Sequence, residues 1–325
     1  MLKRKNKNKE KEKEKEKENK KPVNKYPYEM KIISFNTQYC SMSAYADTTV
    51  LKTPDSVLKG SLYSKENRFN SEEYLLNYRT NNNNLGFRAG LSSFFQQNAA
   101  MTAANKNLEE EITDVIKLPK AKGIKAPLGA SIEQRRSVRN YTENKLSMQD
   151  LANLLYYGQG ISGEIELKDA IAGNDNIKLR NNPSAGGLYP INLYVYLKNV
   201  QDIEDGFYLY YPYAHGIKPI NLNDENINQY DFAEFSNITA NNVNVFFIYV
   251  YNMYINSRKY GDAGAAFAFI EAGEIAQNVQ LTATALGYGS CDIGGYEKQY
   301  LEKKLKLDGV TNHVIHMTIA GKEGE

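Results

Sequence analysis

NNPSAGGLYP, Asn181–Pro190, runs directly into INLYVYL at 191–197. A Pro-Ser turn opener, two successive glycines and a closing proline thus precede a segment that reads as a buried strand. Proline pre-sets φ, and glycine opens backbone conformations closed to other residues. Gly186 and Gly187 also carry no side chain to hold a flat ligand away from the backbone, and Ser184 can offer such a ligand a hydroxyl or an amide. Taken alone, the stretch is a tight turn before a strand. Its company in the chain decides whether it is more.

Upstream, IKLPKAKGIKAPLG reads as an extended Pro/Gly linker, followed by ASIEQRRSVRNYT and then LSMQDLANLLYYGQGI, an amphipathic helix. Ser147 can cap that helix with Asp150 at the capping-box position, and Leu151, Leu154 and Leu155 fall on one face. Downstream come two further strands, GFYLYYP and VNVFFIYVYN, with a mostly polar, partly helical stretch expected between them. AGAAFAFIEAGEIAQNVQLTATALGYG then repeats small residues at helical spacing, so another element can approach closely. It should be a central buried helix, ended by Gly287 and Gly289. HVIHMTIAG is the final strand. Strands interleaved with helices, without a regular βαβ rhythm, argue for an α+β fold, and no GxGxxG follows a strand.

Four groups of residues carry possible chemistry. Arg135, Arg136 and Arg139 surround Ser137 in RRSVR, three guanidiniums within five residues that suit an anion, phosphate above all. A solvated basic loop would look the same. Lys259 and Tyr260 sit in SRKYGDAG at the edge of the core, where desolvation can lower a lysine pKa and make it a base, although a snorkelling lysine is the commoner case. Glu271 and Glu274 lie in or beside the apolar face of the long helix, and a buried carboxylate there needs a partner, an arginine being one choice. GSCDIGGYE, with Gly294 and Gly295, is a second glycine-rich loop that could meet a planar ligand or simply turn. His215 and His313 read as structural, and Cys291 has no histidine or CxxC partner that would favour a thiolate nucleophile.

Composition narrows the classes. The chain has 325 residues, 42% hydrophobic and 11% aromatic, enough for a sizeable core. Residues 1–21 hold eleven Lys/Arg against five Glu, so the formal net charge of +2 leaves about −4 for the rest. That body lacks the basic footprint of a nucleic-acid binder. The Lys-Glu alternation itself, within 1–23, cannot bury enough surface to offset ordering entropy and is expected to be a disordered tail. Residues 24–125 carry no legible catalytic constellation; a strand is expected in YEMKIISFN, a helix in NSEEYLLNYRT and a loop at 81–84. They are expected to form a subdomain or a segment that holds a peptide or partner, with the main domain at 126–325. Two distant cysteines, Cys40 and Cys291, fit a reducing compartment. Three histidines and no HExxH leave little for zinc. No apolar run long enough to span a membrane and no signal-peptide core occur, so a cytoplasmic location is expected.

Taken in order, RRSVR, NNPSAGGLYP, SRKYGD and EAGEIAQNVQLTATALGYGS with DIGG resemble one family, the SagB-type dehydrogenases of the nitroreductase superfamily. The resemblance covers about Ser131 to Gly321, and its specificity lies in four separated motifs falling in the right order. It implies a nitroreductase-like α+β fold, a mixed central sheet flanked by helices with an N-terminal extension, and a homodimer that binds FMN between subunits. It implies that Arg135, Arg136, Ser137 and Arg139 bind the FMN phosphate and ribityl chain, with Lys322 as the further cation near the C-terminus. Pro183, Ser184, Ala185 and Gly186 would lie against the isoalloxazine, and Gly294 and Gly295 on its other approach. Lys259 and Tyr260 match the pair linked to catalysis in the peptide-oxidising branch, which converts thiazolines and (methyl)oxazolines of a ribosomal peptide to thiazoles and (methyl)oxazoles. The partners implied are an azoline-bearing peptide and cyclodehydratase proteins of the YcaO type. An NAD(P)H-dependent nitro- or quinone reductase on the same cradle, or a non-catalytic flavin-binding scaffold of a synthetase complex, are the alternative readings.

Overall fold

The computed structural model describes residues 114–166, 176–222 and 238–324, with a few single positions outside those ranges. The tail expected at 1–23, YEMKIISFN, nearly all of NSEEYLLNYRT and the loop at 81–84 lie outside the described residues. Two compact units divide the chain, Met1–Tyr78 and Arg79–Glu325, and the following description concerns the second.

Period-2 burial organises this unit. The strands are β1 (Ile116–Lys117), β2 (Ile161–Glu166), β3 (Asn176–Arg180), β4 (Ile191–Leu197), β5 (Gly206–Tyr211), β6 (Gly216–Leu222), β7 (Val245–Asn252), β8 (Gly289–Ile293) and β9 (Asn312–Gly321). Seven of them form one sheet in the order β1-β6-β5-β4-β7-β9-β8, and β2 pairs with β3 apart from it. β7 lies inside the sheet between β4 and β9 and is apolar at nearly every position because both its faces are covered. Val245, Phe247, Tyr249 and Tyr251 point into one core, while Phe246, Ile248 and Val250 point into the other. The named strands pair antiparallel. Among the described residues parallel pairing occurs as isolated bridges, Ser137 to Ser290 and Leu146 to Val200.

The helices are α1 (Leu128–Gln134), α2 (Met148–Gln159), α3 (Met253–Tyr260), α4 (Ala263–Ala285) and α5 (Lys298–Lys304). α2 starts where its cap requires: Ser147 Oγ accepts from the Asp150 amide at 3.0 Å and donates to Asp150 Oδ2 at 2.7 Å. Its Leu151, Leu154 and Leu155 are buried in the first core with Ala272, Ile275, Ala276, Val279 and Ala283 of α4. Small side chains let the two helices close up, and a Cβ placed on Gly158 would lie 2.9 Å from Val279 Cγ2. α4 ends at Ala285, and Gly287 takes φ +78°, the left-handed conformation that follows many helices. α5 covers the other core through Leu301.

Three elements depart from the sequence reading. The polar stretch after β5 contains strand β6 despite Pro219, which usually excludes a paired strand. Pro219 sits opposite Tyr208, where the register shifts between Phe207 and Tyr208, so its missing N–H falls at an irregularity of the ladder. SRKY lies in a short helix, α3, and the first half of GSCDIGG is edge strand β8 rather than loop.

Phe247 has no exposed surface. Phe247→Ala is therefore expected to destabilise the protein by about 3–5 kcal/mol, the usual cost of a buried Phe→Ala cavity, read as a lower urea midpoint.

Candidate active site

The strand ends bring three of the motifs to one end of the sheet. The serine-glycine loop enters β4 at Ile191, which pairs with Tyr251 near the end of β7. β7 leads into α3, whose last residues are Lys259 and Tyr260. β9 begins at the same level, with His313 opposite Tyr251, and β8 runs back towards it to end at Ile293, just before Gly294 and Gly295. An antiparallel sheet in this order returns these connections to one end of the strands, although they are up to about a hundred residues apart in sequence.

In the loop, Ala185–Gly187 form a single 3-10 turn in which Gly186 has φ +65°. A Cβ on Gly186 would lie 2.5 Å from Tyr260 Oη and 2.6 Å from Lys259 Nζ. The loop therefore rests directly against the Lys-Tyr pair, and only glycine leaves room for it. Lys259 Nζ is 5.2 Å from the centroid of the Tyr260 ring, which stacks edge-on against Phe267 at 5.0 Å. Lys259 is buried, and burial lowers its pKa; burial raises that of Tyr260. Buried Asn256 holds the pair in place, accepting from Tyr251 Oη at 2.7 Å and donating to the Gly264 carbonyl at 2.8 Å across the α3–α4 junction.

Ser184 is tied to α4. Its Oγ accepts from the Tyr189 amide at 2.9 Å and donates to Glu271 Oε2 at 2.5 Å. Glu271 is only 2% exposed. Burial pushes its pKa up to about 7, against the Ser184 hydrogen bond and the charge of Arg180, which lower it. The nearby cation is thus Arg180 of β3, stacked 4.8 Å over the Tyr189 ring, and not an arginine of RRSVR. Glu274 is half-buried, its pKa raised by partial desolvation.

RRSVR lies beside edge strand β8. The Val138 amide donates to the Ser290 carbonyl at 3.0 Å, and Tyr141 Oη donates back to the Val138 carbonyl at 2.6 Å. Arg135 Nη1 donates to Gln280 Oε1 at 3.2 Å, and Gln280 Nε2 donates to Asp292 Oδ2 at 2.9 Å. Thr318 Oγ1 donates to Asp292 Oδ1 at 2.6 Å, with His316 Nε2 3.2 Å away. Burial would raise the Asp292 pKa, but the bonds from His316, Thr318 and Gln280 outweigh it and hold the carboxyl below its ordinary range. Arg136 donates to the carbonyls of Glu133 and Arg135, and Arg139 to that of Ser137. Among the described residues none of the three guanidiniums pairs with a carboxylate. Lys322 follows β9 at the other end of the sheet; its Nζ donates to the Gly287 carbonyl at 3.2 Å beyond the C-terminus of α4, a favourable place for a cation.

The residues fit a flavin mononucleotide. Arginines without carboxylate partners suit a phosphate, and a Cβ on Gly187 or Gly294 would meet nothing within 4 Å, which leaves backbone open to a flat ring. Gly186 of the Pro183–Gly186 loop lies against Lys259 and Tyr260, whereas Arg135 lies further along α4, bonded to Gln280. Gln280, Asp292 and Arg180 escaped the sequence reading. The available signal was Gln280, a polar residue in the otherwise apolar buried stripe Ala272, Ala276, Val279 and Ala283.

A family model described as the nitroreductase family matches residues 132–322, more than half of the chain. The chain belongs to the nitroreductase family. Within the family it is similar to a Methanocaldococcus jannaschii protein named as a nitroreductase, 31% identical over 192 residues, 59% of this chain and 89% of the relative. Crystal structures described as nitroreductases share the fold. One from Ralstonia eutropha has a TM-score of 0.50 and 20% identity, covering 65% of this chain and 90% of that one. Another from Anabaena variabilis has a TM-score of 0.51 and 21% identity, covering 64% of this chain and 41% of that longer chain. The fold expected from the sequence, a nitroreductase-like α+β domain, is the one observed. Among the described residues no helix is long and apolar enough to cross a membrane.

Glu271 makes stability depend on pH. Its folded pKa of about 7 lies above the ordinary carboxylate value, so the folded state holds a proton that the unfolded state has released. This contribution is complete below about pH 4, the unfolded range, and is lost as pH rises through about 7. The wild-type melting temperature should therefore fall between pH 5 and pH 8, and Glu271→Gln should remove much of that fall. A second expectation concerns space: Gly186→Ala should displace Lys259 and Tyr260, read as a changed reactivity of the Lys259 amine towards an acylating reagent.

Proposed function

We propose that this member of the nitroreductase family is an FMN-dependent dehydrogenase that oxidises thiazolines and (methyl)oxazolines to thiazoles and (methyl)oxazoles in a ribosomally made peptide. The observation that carries the reading is the contact of Lys259 and Tyr260 with Gly186, which sets a desolvated amine and a phenol against the loop whose Ser-Gly sequence suits a flavin. Transfer of electrons to a flavin from a nicotinamide would not itself need such a base. Removing an acidified carbon-bound proton does.

In this reading Arg135, Arg136, Ser137 and Arg139 hold the phosphate and ribityl chain, with Lys322 as a further cation, while Pro183, Ser184, Ala185 and Gly186 support the ring and Gly294 and Gly295 leave its other approach open. FMN, when bound, supplies a two-electron acceptor for the hydrogen that leaves Cβ of the azoline as hydride. The azoline Cα–H is acidified by the adjacent C=N and carbonyl. Neutral Lys259, directly or relayed through Tyr260, takes that proton, and the ring gains its second double bond. The lowered pKa of Lys259 favours the neutral amine this step needs. Burial of Lys259 limits the competition of water for the proton.

The same reading has the protein act as a homodimer beside a YcaO-type cyclodehydratase that makes the azoline, in the cytoplasm. Phe269 and Ile270 support the dimer: both are 58% exposed on the outer face of α4, an apolar patch that a second copy could cover. The archaeal relative's name favours a second reading, an NAD(P)H-dependent nitro- or quinone reductase on the same cradle.

Purified protein should show flavin absorbance and release FMN on denaturation. With an azoline peptide, Lys259→Ala should lose on the order of 10²-fold or more in turnover while retaining FMN, the usual scale for a general base. Wild-type turnover in a folded, FMN-loaded Lys259→Ala protein would refute the role of Lys259. Rapid NAD(P)H oxidation with a quinone, and no reaction with azolines, would establish the reductase instead.

A further inference from the structure

A hydroxyl has one proton to donate and two lone pairs to accept with. In Ser184 the Tyr189 amide occupies one lone pair at 2.9 Å, and the proton is committed to Glu271 Oε2 at 2.5 Å. Towards anything bound against the loop, Ser184 can then only accept. The commitment depends on the charge of Glu271. A protonated Glu271 can place its own hydrogen on Ser184 Oγ, which frees the serine proton to point outwards.

We infer that Glu271 is a positioning residue that sets whether Ser184 presents an acceptor or a donor to the flavin. The inference rests on the flavin reading proposed above. Glu271 is 2% exposed; the Ile191 amide faces its carboxyl, and among the described residues no acceptor is in hydrogen-bonding position for its other oxygen, Oε1. A proton on Oε1 would be a buried donor without a partner, which is costly, so the neutral carboxyl gains most by turning its hydrogen to Ser184. The charged groups around it are Arg180 from β3, Glu274 on the same helix, and Lys259 with Tyr260 from α3, which contact the same loop at Gly186. Its folded pKa of about 7 lets both states be populated near neutral pH. Isoalloxazine edges are rich in carbonyl and ring-nitrogen acceptors, so the neutral state, in which Ser184 can donate, binds flavin more tightly.

The test measures FMN dissociation constants by flavin fluorescence between pH 5.5 and 8.5 for the full chain, Glu271→Gln and Ser184→Ala. The side-chain amide introduced by Glu271→Gln can donate to Ser184 at every pH, so that variant mimics the neutral carboxyl. The ratio of wild-type to Glu271→Gln constants cancels the titration of the FMN phosphate itself. It should rise with pH through about 7, by roughly 2- to 10-fold, the worth of one hydrogen bond. In Ser184→Ala the matching ratio, taken against Ser184→Ala/Glu271→Gln, should be flat. Carboxyl NMR of glutamate-labelled wild-type protein should show Glu271 titrating across the same interval. A flat ratio with FMN bound, or full pH dependence persisting without Ser184, overturns the inference and leaves the flavin reading standing. Absence of FMN binding at every pH overturns the flavin reading, and the inference falls with it.

Discussion

The close packing of a 23-residue, alanine-rich helix against the sheet is the constraint on which this structure depends. Ala268, Ala272, Ala276 and Ala283 of α4 are all but inaccessible, and the lack of bulk there lets α2 approach and keeps the sheet face dry. Such a helix tolerates few polar residues on its inner side, because each must find a hydrogen-bond partner when water is excluded. Two that occur there, Glu271 and Gln280, are the ones that reach the candidate site.

Each of the two anchors a motif from a distant part of the chain. Glu271 holds Ser184, and Gln280 holds Arg135 and passes its other hydrogen bond to Asp292. The helix thus acts as a rigid bar with a neutral, hydroxyl-bearing loop near one end and a cationic segment further along. The electrostatics follow the same division: desolvation dominates around Lys259, Tyr260 and Glu271, while hydrogen bonds from His316, Thr318 and Gln280 keep Asp292 ionised beside the arginines.

Membership of the nitroreductase family accounts for the fold and for an oxidoreductase scaffold. The chemistry proposed here depends on something more local, the placement of Lys259 and Tyr260 at the end of α3. That placement is held by Asn256, whose side chain ties Tyr251 of β7 to the first turn of α4. A buried asparagine with both ends of its amide used fixes the angle between two helices more sharply than apolar packing would, since every alternative leaves a polar group unpaired.

Much of the local structure was legible in the sequence because it is dictated locally. The Ser147 cap, the leucine face of α2, the apolar runs of β4, β7 and β9, and the small-residue repeat of α4 each follow from side-chain periodicity or capping within one segment. Hairpin β2–β3, strand β6 with its Pro219 and the short helix α3 were not legible, because ISGEIE, NIKLR, GIKPINL and MYINSRKY carry no sustained apolar period to mark them. The candidate residues divide the same way. RRSVR, PSAGG, KY and DIGG stand out by composition, but that Gly186 touches Lys259 and Tyr260, that Glu271 pairs with Ser184, and that Arg135 rests on Gln280 are contacts across 73 to 145 residues. Periodicity in the sequence determines what each segment is; strand order and helix packing decide which segments meet, since only closure of the sheet and burial of its faces bring distant side chains within hydrogen-bonding distance.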